Sequence, residues 1–186
     1  MKLQELFEGL FNILSEADIL TIDHEPNDGI WYQHQSPDKF DIIKPPSYKE
    51  LSKIRDKDYP IDDRKDHEDD YRKLSKSNKN NSFIYATIVG YHKFGKPEDY
   101  DGYTYYFQLS DEQLSKTVFE VVTGNEKISM KPMLGKKGLK TALALWDDNN
   151  KRFKTIKEKG VGDIFPRIEV IIPFTIKPSY ILKGGK

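Results

Sequence analysis

Hydrophobic positions recur with a clear period along parts of the chain and lose it in others. Over residues 2–16, Leu3, Leu6, Phe7, Leu10, Phe11 and Leu14 return at three- and four-residue steps. That spacing shares one face and predicts an amphipathic N-terminal helix. "ILTID" (19–23) and "GIWYQH" (29–34) flank the turn signal "HEPNDG", which predicts a hairpin. "KPPS" (44–47) breaks the chain, and Ser47 with Glu50 makes a capping box for a short helix over 48–55.

The period then switches to two. In "SFIYATIVGYHKF" (82–94), Ile84, Ala86 and Ile88 share one face, and Phe83, Tyr85, Val89 and Tyr91 share the other. "GKPEDYDG" (95–102) reads as a turn-rich loop and "YTYYFQL" (103–109) as the return strand of a hairpin. Alternation puts Tyr103, Tyr105, Phe107 and Leu109 on one face and Tyr106 on the opposite one. Such a hairpin is central in a sheet, or shows one face to a ligand.

Beyond it, Ser110 and Gln113 make a second capping box, predicting a helix over 111–123 that buries Leu114, Val118 and Val121 and stops at Gly124. The β-branched run "TVFEVVT" leaves a strand open as the alternative. "KISMKPML" (127–134) reads as a strand weakened by Pro132. "GLKTALALWDDNNKRFKTI" (138–156) has helical spacing at Leu139, Leu143 and Trp146, but its "DDNN" also suits a turn, and the hairpin is the favoured reading. "RIEVIIPFTI" (167–176) and "SYILK" (179–183) read as strands.

Residues 55–82 break the pattern, with charges dominating and few apolar positions. They read as a charged insertion or linker, helical over 62–76 and lying on the domain or on a neighbouring copy through Tyr59, Ile61, Tyr71 and Leu74. With 186 residues the chain suits a single domain over 1–186, with a basic C-terminal part at 126–186. The expected fold is α+β: an antiparallel, partly curved sheet with the N-terminal helix packed on it.

Composition narrows the chemistry. There is no cysteine, which excludes disulfides, thiolate metal sites and thiol catalysis. No apolar run reaches the roughly 20 residues that span a bilayer, so the expectation is a soluble, cytoplasmic protein, or a virion component if viral. Net charge is zero, yet residues 126–186 carry 14 basic and 6 acidic residues, so the remaining 125 carry the opposite excess. Such a split suggests a polyanion-facing side, or charge-paired assembly into homo-oligomers or larger structures. The Lys-, Asn-, Asp- and Tyr-rich style is similar to that of many phage-encoded proteins.

Enzyme signatures fail. "GKKGLKT" (135–141) has the wrong Gly-to-Lys spacing for a P-loop, and neither a G-x-S-x-G nor an H-E-x-x-H motif occurs. The two "DHE" triplets, at 23–25 and 66–68, read as solvated charge. A nuclease site from Asp38 with Asp63, Arg64 and Lys65 would lack a rigid strand to hold its metal. No catalytic residue, cofactor or metal is expected.

What remains is aromatics interleaved with basic residues. Rings stack on unpaired bases and Lys or Arg track the phosphates. Tyr91, Phe94 and Tyr106, near Lys93 and Lys96, are the candidate stacking platform; Lys136, Lys137, Lys140, Lys151, Arg152, Lys154 and Lys157 are the candidate phosphate contacts. The expectation is a non-enzymatic protein that binds single-stranded DNA or RNA. The alternatives are an assembly component that binds protein neighbours, and rings that pack an ordinary sheet.

Overall fold

The structure is a computed structural model that describes residues 29–53, 60–91, 100–122, 129–158 and 167–184, without the side chains of 148–158. The predicted N-terminal helix and the strand 19–23 lie outside the described residues, as does Tyr59. Seven strands form one sheet: β1 (Tyr32–Ser36), β2 (Ile84–Ile88), β3 (Tyr103–Phe107), β4 (Val118–Val122), β5 (Met130–Leu134), β6 (Arg167–Ile172) and β7 (Tyr180–Lys183). Their order is β5-β4-β6-β2-β1-β3-β7, every pairing is antiparallel, and the sheet does not close. The helices are α1 (Tyr48–Leu51), α2 (Ile61–His67), α3 (Asp69–Ser75), α4 (Asp111–Lys116) and α5 (Gly135–Glu158), so the fold is α+β.

Register fixes which side chains share a face. Ala86 pairs with Val170, Val170 with Phe119, and Ile168 with Val121. This apolar side packs with Leu139, Ala142 and Trp146 of α5 into the main core. A side chain buried in this way contributes about 1.5–3 kcal/mol. Gly138 lets α5 approach closely, since a Cβ there would lie 2.3 Å from the Met133 carbonyl oxygen. On the opposite side of the sheet, Tyr71 of α3 packs with Phe83, Val118 and Ile171.

Three expectations give way. The tyrosine strands β2 and β3 are not a hairpin, because β1 lies between them: Tyr32 pairs with both Ile88 and Phe107. The connection between β2 and β3 is long enough to cross a strand, and neighbours in sequence need not pair. The helix at 111 ends at Lys116, and the β-branched run becomes β4, inserted between β5 and β6. Val118, Phe119 and Val121 are buried on both faces of that strand, which favours strand over helix. Residues 138–156 lie within α5 rather than in a hairpin, since burying Leu139, Ala142 and Trp146 together outweighs the turn preference of "DDNN".

Other readings hold. Both capping boxes form, Ser47 with Glu50 and Ser110 with Gln113. Pro132 sits in the edge strand β5, where a missing N–H is tolerated. The charged stretch folds as α2 and α3, and Tyr71 anchors it with 1% exposure, Leu74 packing beside it.

Candidate functional site

The basic residues lie along α5. Lys136, Lys137 and Lys140 are exposed. Successive residues turn by about 100° in a helix, so positions 136, 140, 151 and 154 fall on one side, away from Leu139, Ala142 and Trp146. By the same period Asp147 and position 158 share that side, Lys137 lies toward its flank, position 152 falls more than about 90° round from it, and position 157 is in line with Leu139. The side chains of Lys151, Arg152, Lys154 and Lys157 lie outside the described residues. Lys136 meets Asp111 at 2.9 Å, both being exposed. Such a surface pair is worth about 0–1 kcal/mol and is easily exchanged for another anion.

The aromatic half of the expected platform does not assemble as the alternation suggested. Tyr91 is half-buried, its ring 6.1 Å from that of Trp146 at 65°. Burial, then Asp147, raises its pKa. Tyr106, a candidate stacking ring and so one that needs an open face, is 2% exposed, with its ring 6.1 Å from Tyr180. Register explains the correction: Tyr106 pairs with Gln33, and Gln33 with Thr87, which places Tyr106 on the side of the sheet away from α5. A ring held there cannot serve a strand lying on α5. On the face that Tyr103, Tyr105 and Phe107 share, Tyr105 and Phe107 are buried and Tyr103 is half-buried. The Tyr105 hydroxyl accepts from the Phe40 N–H and donates to the Asp38 carbonyl, both at 2.7 Å, and so pins the 38–40 loop. Lys93, Phe94 and Lys96 lie outside the described residues.

A second constellation, missed by motif reading, occupies the other side of the sheet. Glu68, between α2 and α3, is fully buried rather than solvated. It accepts hydroxyl hydrogen bonds from Ser82 at 2.5 Å, Tyr85 at 2.7 Å and Tyr48, and its carboxylate lies 3.6 Å from Arg72. Arg72 also donates to the Tyr48 hydroxyl and to the Lys65 carbonyl. Burial first, and then Glu68, push the Tyr85 and Tyr48 hydroxyls above the usual tyrosine range. This clasp satisfies a buried carboxylate and fixes the helices on the sheet.

Next to it opens a cleft of about 360 Å³. Its floor carries Tyr85 from β2, Glu120 and Val122 from β4, and Arg167 and Glu169 from β6; α2 supplies Arg64 and His67. Glu120 and Glu169 are direct cross-strand partners. Like charges so placed repel unless something compensates. Arg167 pairs with Glu169, its Nε and Nη2 each 2.5 Å from one oxygen. Glu120, 9% exposed, accepts from the Tyr71 hydroxyl at 2.8 Å, and that hydroxyl lies 3.3 Å from His67 Nε2. Burial, followed by the Glu169 carboxylate, raises the Glu120 pKa, opposed by Tyr71, His67 and Arg167. The available sequence signal was a glutamate inside each of two apolar strand runs, "VFEVV" and "RIEVII".

Among the described residues, no group of three or more His, Asp or Glu could hold a metal ion, and no helix is long and apolar enough to cross a membrane. No protein-family model, no curated protein and no solved structure matches the chain.

Proposed function

We propose that the protein is a non-enzymatic nucleic-acid-binding protein and that its ligand is single-stranded DNA or RNA, held along the outer side of α5. One observation carries the reading: α5 is one continuous 24-residue helix that exposes Lys136, Lys137 and Lys140, and the helical period sets positions 151 and 154 in line with 136 and 140. A helix of that length extends roughly 36 Å, enough to follow several phosphates of one strand. Exposed Lys137 widens the basic side. Among the described residues, half-buried Tyr91, packed against Trp146, is the candidate ring that remains for stacking; Tyr106 is withdrawn from that role. Most of the binding is therefore electrostatic.

The experiment is a fluorescence-anisotropy titration with a single-stranded oligonucleotide at several salt concentrations. Affinity should fall steeply with salt, and the double variant Lys136→Glu, Lys137→Glu should flatten the slope by about 0.7 for each phosphate no longer neutralised. Folding should be unaffected, since both lysines are exposed. Equal affinity and an equal slope in the variant refute the phosphate role. They leave the assembly reading, in which this charged side meets a protein neighbour.

A further inference from the structure

We propose that the outer edge of β7 is a self-pairing surface, at which a second copy of this chain adds its own β7, antiparallel and across a two-fold axis. Among the described strands, β5 and β7 are the outermost of the sheet. An outer strand presents unpaired N–H and C=O groups and accepts another strand unless something blunts it. β5 is blunted: Pro132 lacks an N–H, Lys131 is exposed, and the register against β4 shifts between Phe119 and Val121. β7 has no proline and keeps register with β3 throughout, from Tyr180 opposite Tyr106 to Lys183 opposite Tyr103. Its Tyr180, Ile181 and Leu182 are half-buried. The same end of the sheet carries exposed Phe40 and Ile42, in a loop held to β3 by Tyr105 and bridged to Ile176 just before β7. α5 packs on β4, β5 and β6 at the other end, so the inference is independent of nucleic-acid binding.

Hydrogen-bond phase selects the occupant. The Gly184 N–H donates to the Gly102 carbonyl at 2.9 Å. Backbone groups alternate in direction along a strand, so Leu182 faces β3, and Ile181 and Lys183 turn their N–H and C=O groups outward. Two copies related by a two-fold axis at Leu182 set Ile181 of one against Lys183 of the other. Every outward N–H of these residues then meets a carbonyl. Lys183 lies opposite an isoleucine rather than a like charge, and the two Leu182 side chains meet on the other face. The strand is therefore complementary to itself in both hydrogen bonding and charge. A four-residue edge buries less than the roughly 1,200–2,000 Å² of a stable interface, so the dimer is weak and depends on concentration. The two-fold contact closes on itself, and the blunted β5 offers no route to longer arrays.

Sedimentation equilibrium on the full chain, up to about 1 mM, should show a monomer–dimer equilibrium with no larger species. Lys183→Pro removes an outward N–H at an exposed position and leaves the bonds to β3 in place. It should weaken the dimer at least about tenfold with the melting temperature of the monomer nearly unchanged. Cross-linking reads the register, since the chain has no cysteine of its own. Leu182→Cys sets two thiols in a non-hydrogen-bonded pair, with Cα atoms about 4.5 Å apart and within disulfide reach. Under mild oxidation it should form covalent dimer at least about tenfold faster than Lys183→Cys, whose thiols are out of register. Should Lys183→Pro not fold, the wild type and the two cysteine variants decide. A wild-type chain that stays monomeric throughout overturns the proposal and leaves the edge to a strand of another protein. Assembly beyond the dimer, dimerisation undiminished by Lys183→Pro, or Lys183→Cys linking as fast as Leu182→Cys overturns it equally.

Discussion

The two sides of the sheet are covered by different physics. Against α5 the strands present Phe119, Val121, Ile168 and Val170, and the helix answers with Leu139, Ala142 and Trp146. That contact is apolar and dry, and its strength follows buried area. Against α2 and α3 the sheet presents Tyr85, Glu120 and Glu169, and the helical segment answers with Tyr71, Arg72 and the intervening Glu68. That contact depends on every hydroxyl and carboxylate finding its partner. One side is therefore an apolar platform for α5. The other is a tuned surface with room for a cleft.

The largest effects should come from truncating buried aromatics. Trp146→Ala should cost about 3–5 kcal/mol in denaturant unfolding, with little dependence on pH. Tyr106→Ala should cost a comparable ~3–5 kcal/mol and leave single-strand affinity unchanged once the folded fraction is accounted for. A Tyr106→Ala protein that is fully stable but binds oligonucleotide poorly would reverse the burial argument.

Next comes the clasp. Glu68→Gln keeps the shape but misdirects donors and leaves Arg72 less compensated, so a loss of about 1–3 kcal/mol is expected in the same unfolding measurement. A neutral or stabilising result would mean that water or the neighbouring Asp69 and the Lys65 carbonyl already satisfy Arg72.

The smallest effect in magnitude has the clearest sign. The Glu120 pKa is raised in the folded state, so the folded chain holds this proton more tightly than the unfolded chain. Its stabilising contribution is complete below the ordinary glutamate pKa and is lost as pH rises through the raised value. The difference in unfolding free energy between wild type and Glu120→Gln should therefore decline as pH rises across that window. A slope unchanged by the substitution would show that Glu120 titrates normally.

Local signals in the sequence carried far and non-local ones did not. The capping boxes at Ser47 and Ser110 are complete within four residues, and both form. The alternation of Ile84, Ala86 and Ile88 marks the apolar face of β2 because period two is a property of the strand alone. Pairing is different. Nothing in residues 82–109 states that β1 will come between β2 and β3, and the hairpin reading failed there. Tyr106 was misjudged for the same reason: alternation gave its face, but not what covers that face. The cleft was hidden by distance along the chain, since His67, Glu120 and Glu169 meet only through the sheet order β4-β6-β2 and the docking of α2. The helical spacing of Leu139 and Trp146 and the turn-like "DDNN" compete within one stretch, and the buried face of α5 decides between them only once the sheet is there to cover it.

Amide chemical-shift mapping with a single-stranded oligothymidylate tests the division of the two sides most directly. Binding along α5 predicts salt-sensitive shifts at Lys136, Lys137 and Lys140, and none at Tyr85, Glu120 or Glu169. Shifts confined to the α2–α3 side, or no shift at any oligonucleotide concentration in low salt, would contradict it.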